Sequence, residues 1–159
     1  MIPSKPKTKI RGHTVNNEIR IEDVLRDEGM YVCTVSGISM YPMLRNRRDT
    51  VLIRPKPDSL KKYDVPLYRR GDNYVLHRII KVLPNGKFHI RGDNCIETEK
   101  NIPEDCIIGI LDKFWRDDKE ISVKSFGYKM YARFCVALYP AVFIFKKARG
   151  RIRRLFYKP

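Results

Sequence analysis

The chain has 159 residues, 43% of them hydrophobic, and carries 33 Lys+Arg against 18 Asp+Glu, a formal charge of +15. That length bounds it to one domain with enough apolar content for a core, and no run of about 18 apolar residues is present to form a spanning helix. The positive excess favours anionic partners, nucleic acid or the anionic face of a bilayer, and nearly half of it lies in the seven basic residues of Lys146–Pro159, a stretch without an acidic residue.

Residues 1–15 are rich in Pro and Lys and read as an extended leader. They contain no apolar h-region, so they are not a secretory signal peptide. Ile21, Val24, Leu25 and Glu28 follow helical spacing, with Asn17 as a start cap and Gly29 as a stop. A strand is expected over Met30–Val35, then a serine box, V-S-G-I-S-M-Y-P-M-L, from Val35 to Leu44. Further strands are expected at D-T-V-L-I-R, at Asp64–Tyr68, where Pro66 suggests an edge or a bulge, and over Tyr74–Val82 as one strand. L-P-N-G is a hairpin turn, since Asn-Gly tolerates positive φ, and K-F-H-I-R is the return strand. Cys106–Phe114 and Ile121–Val123 complete a mostly β domain over residues 16–125.

Residues 126–159 form an apolar and basic tail. Phe134–Phe145 is an uncharged run broken by Pro140 and too short to span a bilayer. Beyond it, Phe145, Ala148, Ile152, Leu155 and Phe156 fall within a sector of about 100°, with basic residues filling the rest of the surface. That pattern predicts an amphipathic basic C-terminal helix. Residues 145–158 would meet an anionic membrane surface, a solvated face on the protein body being the alternative.

Serine is a poor nucleophile at neutral pH without a base beside it. Ser39 sits in a turn framed by Gly37 and Pro42, which can present its hydroxyl and free a backbone N–H for an oxyanion. His77, in the apolar run V-L-H-R-I-I, shares a strand face with Val75 and Ile79 and suits proton transfer near pH 7. Asp93, after the hairpin's return strand, can orient that imidazole. Taken singly, each has a plainer alternative: a structural turn, a satisfied core histidine, an Asx-turn. Glu97 and Glu99 read as back-up carboxylates to Asp93, with solvated surface groups as the plainer alternative, and the R-G-D triplets at 70–72 and 91–93 as turns. The four cysteines, at 33, 95, 106 and 135, lack C-x-x-C spacing and read as buried thiols, a Cys95–Cys106 disulfide remaining open.

In order and spacing these blocks resemble the type I signal peptidase family, within the wider group of serine peptidases that includes the SOS-response repressors. V-S-G-I-S-M-Y-P-M-L is similar to the family's nucleophile box, with Ser39 as nucleophile. R-D-T-V-L-I and Y-D-V-P-L-Y resemble its two following strands. L-H-R-I-I resembles the general-base block of the branch that carries His-Arg, and I-R-G-D-N the box whose aspartate assists the base. The resemblance covers residues 31–112. It implies a signal-peptidase-like β-fold and a serine endopeptidase working through a Ser39–His77 dyad with Asp93. It also implies Gly37, Met40 and Pro42 at the substrate groove, an extended peptide or preprotein substrate, and neither metal nor organic cofactor.

The chain departs from the family at Arg48 and Tyr63, where glycines are usual. At Gly37 a hydroxyl donor is missing, which leaves oxyanion binding to the Ser39 backbone N–H. The usual N-terminal anchor is also absent, implying a cytoplasmic or membrane-associated protein. A catalytically inactive peptide- or membrane-binding module with the same fold is the alternative from another functional class. A nucleic-acid binder is a third, motivated by charge alone, and specific nucleic-acid binding is not expected.

Overall fold

The computed structural model describes residues 20–144. The leader, the Asn17 cap and the basic helix expected over residues 145–158 lie outside them. The described chain is mostly β, with a short N-terminal helix and helical segments at its C-terminal end. Helix α1 (Ile21–Glu28) buries Leu25 and ends at Gly29, whose left-handed φ of 67° lets its N–H reach Leu25 O at 3.1 Å.

Strands β1 (Tyr31–Thr34), β2 (Thr50–Pro55), β3 (Pro66–Arg70) and β4 (Asn73–Leu76) join the long β8 (Ile107–Arg116) in one antiparallel sheet, in the order β1-β2-β8-β3-β4, and β9 (Lys119–Ser122) pairs with β8. Strands β5 (Arg78–Val82), β6 (Phe88–Arg91) and β7 (Glu99–Ile102) form a second sheet. Tyr68 and Ile107 from the first sheet pack with Ile79, Phe88 and Ile90 from the second, so a shared apolar layer joins the two. The main core lies on the first sheet, where Val51, Ile53, Leu111 and Phe114 meet Leu25 of α1 and Met40, Met43 and Leu44 of the serine box.

Two expectations change and a third is narrowed. The single strand expected over Tyr74–Val82 is two strands in different sheets, and His77 is the residue between them. His77, Arg78 and Ile79 are all buried. Three consecutive buried side chains cannot sit on one face of one strand, because successive side chains alternate; the crossing between sheets buries both sides. Of the two readings of Pro66, the structure supports the bulge and not the edge: β3 lies between β4 and β8. As first residue of its strand, Pro66 is where a missing N–H costs least, and the register shift follows at Leu67/Tyr68. The tail expected from residue 126 is not separate from the body. Helix α2 (Phe126–Ala137), capped by Ser125 Oγ, buries Tyr128 and Ala132 in the main core. Residues 139–144 are again helical. Among the described residues no helix is long and apolar enough to cross a membrane.

Candidate active site

The serine box folds as a plugged loop between β1 and β2. Met40, Met43 and Leu44 point into the core, and Leu44 N–H donates to Met40 O at 2.9 Å. Gly37 takes φ 99°, a left-handed backbone that glycine adopts without a Cβ penalty, and its N–H donates to Asn46 Oδ1 at 2.8 Å. Fully buried Asp49 ties the loop's far end, accepting from the Arg45 backbone N–H at 2.9 Å and from its guanidinium at 2.7 Å. Arg116 Nη2 donates to the carbonyls of Pro42 and Met43 at 2.8 and 2.6 Å. The Tyr41–Pro42 peptide is cis. Ser39 rides half-buried on this frame, between exposed Ile38 and Tyr41.

The segment that follows β6 holds the serine turn from the other side. Asn94 N–H donates to Ser39 O at 2.7 Å, and Asn94 Nδ2 to Ile38 O at 3.1 Å. Gly92 is the point of closest approach. A Cβ on Gly92 would lie 2.6 Å from Ser39 O, 2.8 Å from Cys95 Sγ and 3.0 Å from His77 Nε2. The Ser39 turn, the His77 imidazole and one thiol therefore converge over a residue without a side chain. Among the described residues, neither the Ser39 hydroxyl nor its backbone N–H makes a hydrogen bond, and no bond joins Ser39 Oγ to His77.

His77 is 5% exposed. Its Nδ1 lies 3.1 Å from Glu99 Oε1 and 3.1 Å from Tyr68 Oη, while the Tyr68 hydroxyl donates to the same Glu99 oxygen at 2.7 Å. A carboxylate only accepts, and the Tyr68 proton is already committed to it. Those partners assign the imidazole hydrogen to Nδ1 and leave the Nε2 lone pair directed at the Gly92 side. Burial lowers the His77 pKa from its ordinary value, and the charge and hydrogen bond of Glu99 oppose that shift. The imidazole is thus neutral at pH 7, with a carboxylate ready to stabilise its cation.

No protein-family model matches the chain, and no curated protein matches it.

Asp93 is not the partner of His77. Its two oxygens accept from Arg78 Nε at 2.8 Å and Nη2 at 2.7 Å, and Tyr131 OH donates to Oδ2 at 3.1 Å. This is a buried, two-pronged ion pair, and Tyr128 Oη accepts from Arg78 Nη1 at 3.1 Å. Burial alone would lower the Arg78 pKa, but its bonds to Asp93 outweigh that and hold it above the ordinary range. The crossing at His77 explains the swap: neighbouring residues 77 and 78 point to opposite sides, and Asp93 is on the Arg78 side. Glu99, the back-up carboxylate otherwise expected on the surface, takes the place beside the imidazole because β7 pairs with β6, setting Glu99 opposite Ile90.

Met40 is also misplaced as a groove residue. At 3% exposure it is a core plug that cannot touch a substrate. Gly37 and Pro42 are exposed near Ser39. Arg70-Gly71-Asp72 spans the β3–β4 hairpin, and all four cysteines are free thiols, so no Cys95–Cys106 disulfide forms. Tyr68 carried no sequence signal beyond its strand. Gly92 did carry one, as the glycine of I-R-G-D-N, but its use as a contact point depends on the fold.

Proposed function

We propose that the protein is a serine endopeptidase in which His77 Nε2 takes the Ser39 proton. The observation that carries this reading is the convergence of the Ser39 turn and the His77 Nε2 lone pair over Gly92. Ser39 Oγ attacks a peptide carbonyl carbon as its proton passes to Nε2, and Glu99 stabilises the resulting imidazolium. The Ser39 backbone N–H is available to the developing oxyanion. The imidazolium then protonates the leaving amine, and a water deprotonated by His77 releases the acyl group from Ser39. Catalytic hydrogen bonds are often long before substrate arrives, and a turn bonded through its own carbonyl to Asn94 leaves the Ser39 side chain free to rotate. The resemblance to type I signal peptidases supports an extended peptide substrate with small side chains at the scissile bond.

The missing Oγ–Nε2 bond favours one competitor, a non-catalytic peptide-binding module of the same fold. A fluorophosphonate probe separates the two. The peptidase reading expects the probe on Ser39, located by peptide mass; folded protein that stays unlabelled would refute it.

The pH profile of that labelling has a defined sign. Only neutral His77 accepts a proton, and burial depresses its pKa, so the acid limb is expected below the ordinary imidazole value of about 6.5. Glu99→Gln removes an influence that raises this pKa. The limb should move further toward acid, and the rate at neutral pH should fall as the Glu99 charge no longer stabilises the imidazole cation. An acid limb that moves upward in Glu99→Gln would show that the carboxylate does not act on His77.

A further inference from the structure

One thiol shares the space used by the base. Cys95 closes the turn after β6, its N–H donating to Gly92 O at 2.9 Å, which folds its side chain back over Gly92. Its Sγ lies 2.8 Å from the point that a Gly92 Cβ would occupy, and His77 Nε2 lies 3.0 Å from the same point. The imidazole is 5% exposed, and among the described residues its Nε2 makes no hydrogen bond. A nearly buried nitrogen and a half-buried thiol therefore both border the Gly92 side of the site, at 3.0 and 2.8 Å from one point that a methyl group there would take.

We propose that Cys95 is a peroxide-modifiable thiol whose sulfenic acid caps the His77 base and switches Ser39 off, an inference that rests on the peptidase reading above. Cys95 Sγ attacks the terminal oxygen of a hydroperoxide, forming the S–O bond as the O–O bond breaks. The thiol proton passes through Nε2 to the departing alkoxide or hydroxide. Sulfur is oxidised to the sulfenic acid, and the peroxide is reduced to an alcohol or water. The S–OH group then donates to Nε2 and occupies the lone pair that Ser39 needs. A thiol reductant restores the resting state. The other three thiols are less suited: burial pushes Cys33, Cys106 and Cys135 above the ordinary thiol range, and none of them adjoins a base in the site.

The test uses the full chain and hydrogen peroxide, with dimedone trapping the sulfenic acid and peptide mass locating it. Cys95 is expected to carry most of the dimedone, and His77→Gln to slow its trapping by about 10²-fold, a general-base contribution. Equal labelling of all four cysteines, or an unchanged rate in His77→Gln, overturns the proposal without reference to peptidase activity. Fluorophosphonate labelling of Ser39 is expected to fall in step with Cys95 oxidation, to recover with dithiothreitol, and to resist peroxide in Cys95→Ala. Oxidised Cys95 beside fully reactive Ser39 overturns the switch. Ser39 that never labels in reduced protein instead removes the peptidase reading and the switch with it, while the dimedone measurement still decides whether Cys95 is the modified thiol.

Discussion

His77→Ala is expected to abolish acylation of Ser39, and Gly92→Ala to come close to the same loss with the imidazole still present. The first result follows from the proposed role of His77 Nε2: the serine alcohol is unreactive until its proton has somewhere to go. The second follows from space. Gly92 does not occupy the left-handed region, so its backbone accepts alanine without conformational strain. The added methyl, however, meets Ser39 O at 2.6 Å. That carbonyl is fixed by Asn94 N–H at 2.7 Å, on a loop plugged by Met40, Met43 and Leu44. It cannot yield as the end of a flexible side chain would. The turn and the segment after β6 must move apart, and a misplacement of about 1 Å at a reacting centre is worth on the order of 10²-fold in rate. The second-order rate of fluorophosphonate labelling reads the loss, with circular dichroism showing that the variant is folded. Gly92→Ala that labels within about twofold of wild type, against the 10²-fold expected, would mean that Gly92 does not set the distance between alcohol and base.

Asp93→Ala is expected to destabilise the fold by about 3–5 kcal/mol, the cost of leaving one member of a buried ion pair without its partner. Arg78 is fully buried, and its guanidinium reaches Asp93, Tyr63 O and Tyr128 Oη. Asp93 neutralises it through both oxygens. Urea denaturation should show the midpoint falling with the slope preserved. The contrast with Glu99 is diagnostic. A carboxylate that oriented the base would change the labelling pH profile and leave stability nearly intact; one that neutralises a buried arginine does the reverse. A loss under about 1 kcal/mol, the range of exposed pairs, would contradict the structural role.

The Arg78–Asp93 pair also joins the C-terminal helix to the site. Tyr131 donates to Asp93, Tyr128 accepts from Arg78, and Tyr139 OH donates to Ile96 O. The segment carrying Gly92, Asn94 and Cys95 is thus held between the serine loop and residues that composition alone sets apart as a tail.

Much was legible in the residues. Alternating apolar strands and glycine or Asn-Gly turns placed the hairpins, because those signals are local. Gly29 ended the first helix for the same reason. Ser39 and His77 stood out because few residue types can supply a nucleophile and a base at neutral pH. Asp93 meets Arg78 and not the expected His77, since adjacency in the chain says nothing about which side of a crossing strand a carboxylate meets. The break at His77, the burial of Met40 and the approach of Glu99 belong to tertiary structure. Each depends on which strands pair across long stretches of chain, a pairing that buries Ile79 and Ile90 between the sheets and Arg78 against Asp93. Local chemistry in the chain singled out the alcohol and the imidazole; packing between two sheets decided which carboxylate lies beside that imidazole, which one pairs with the buried arginine, and why residue 92 has no side chain.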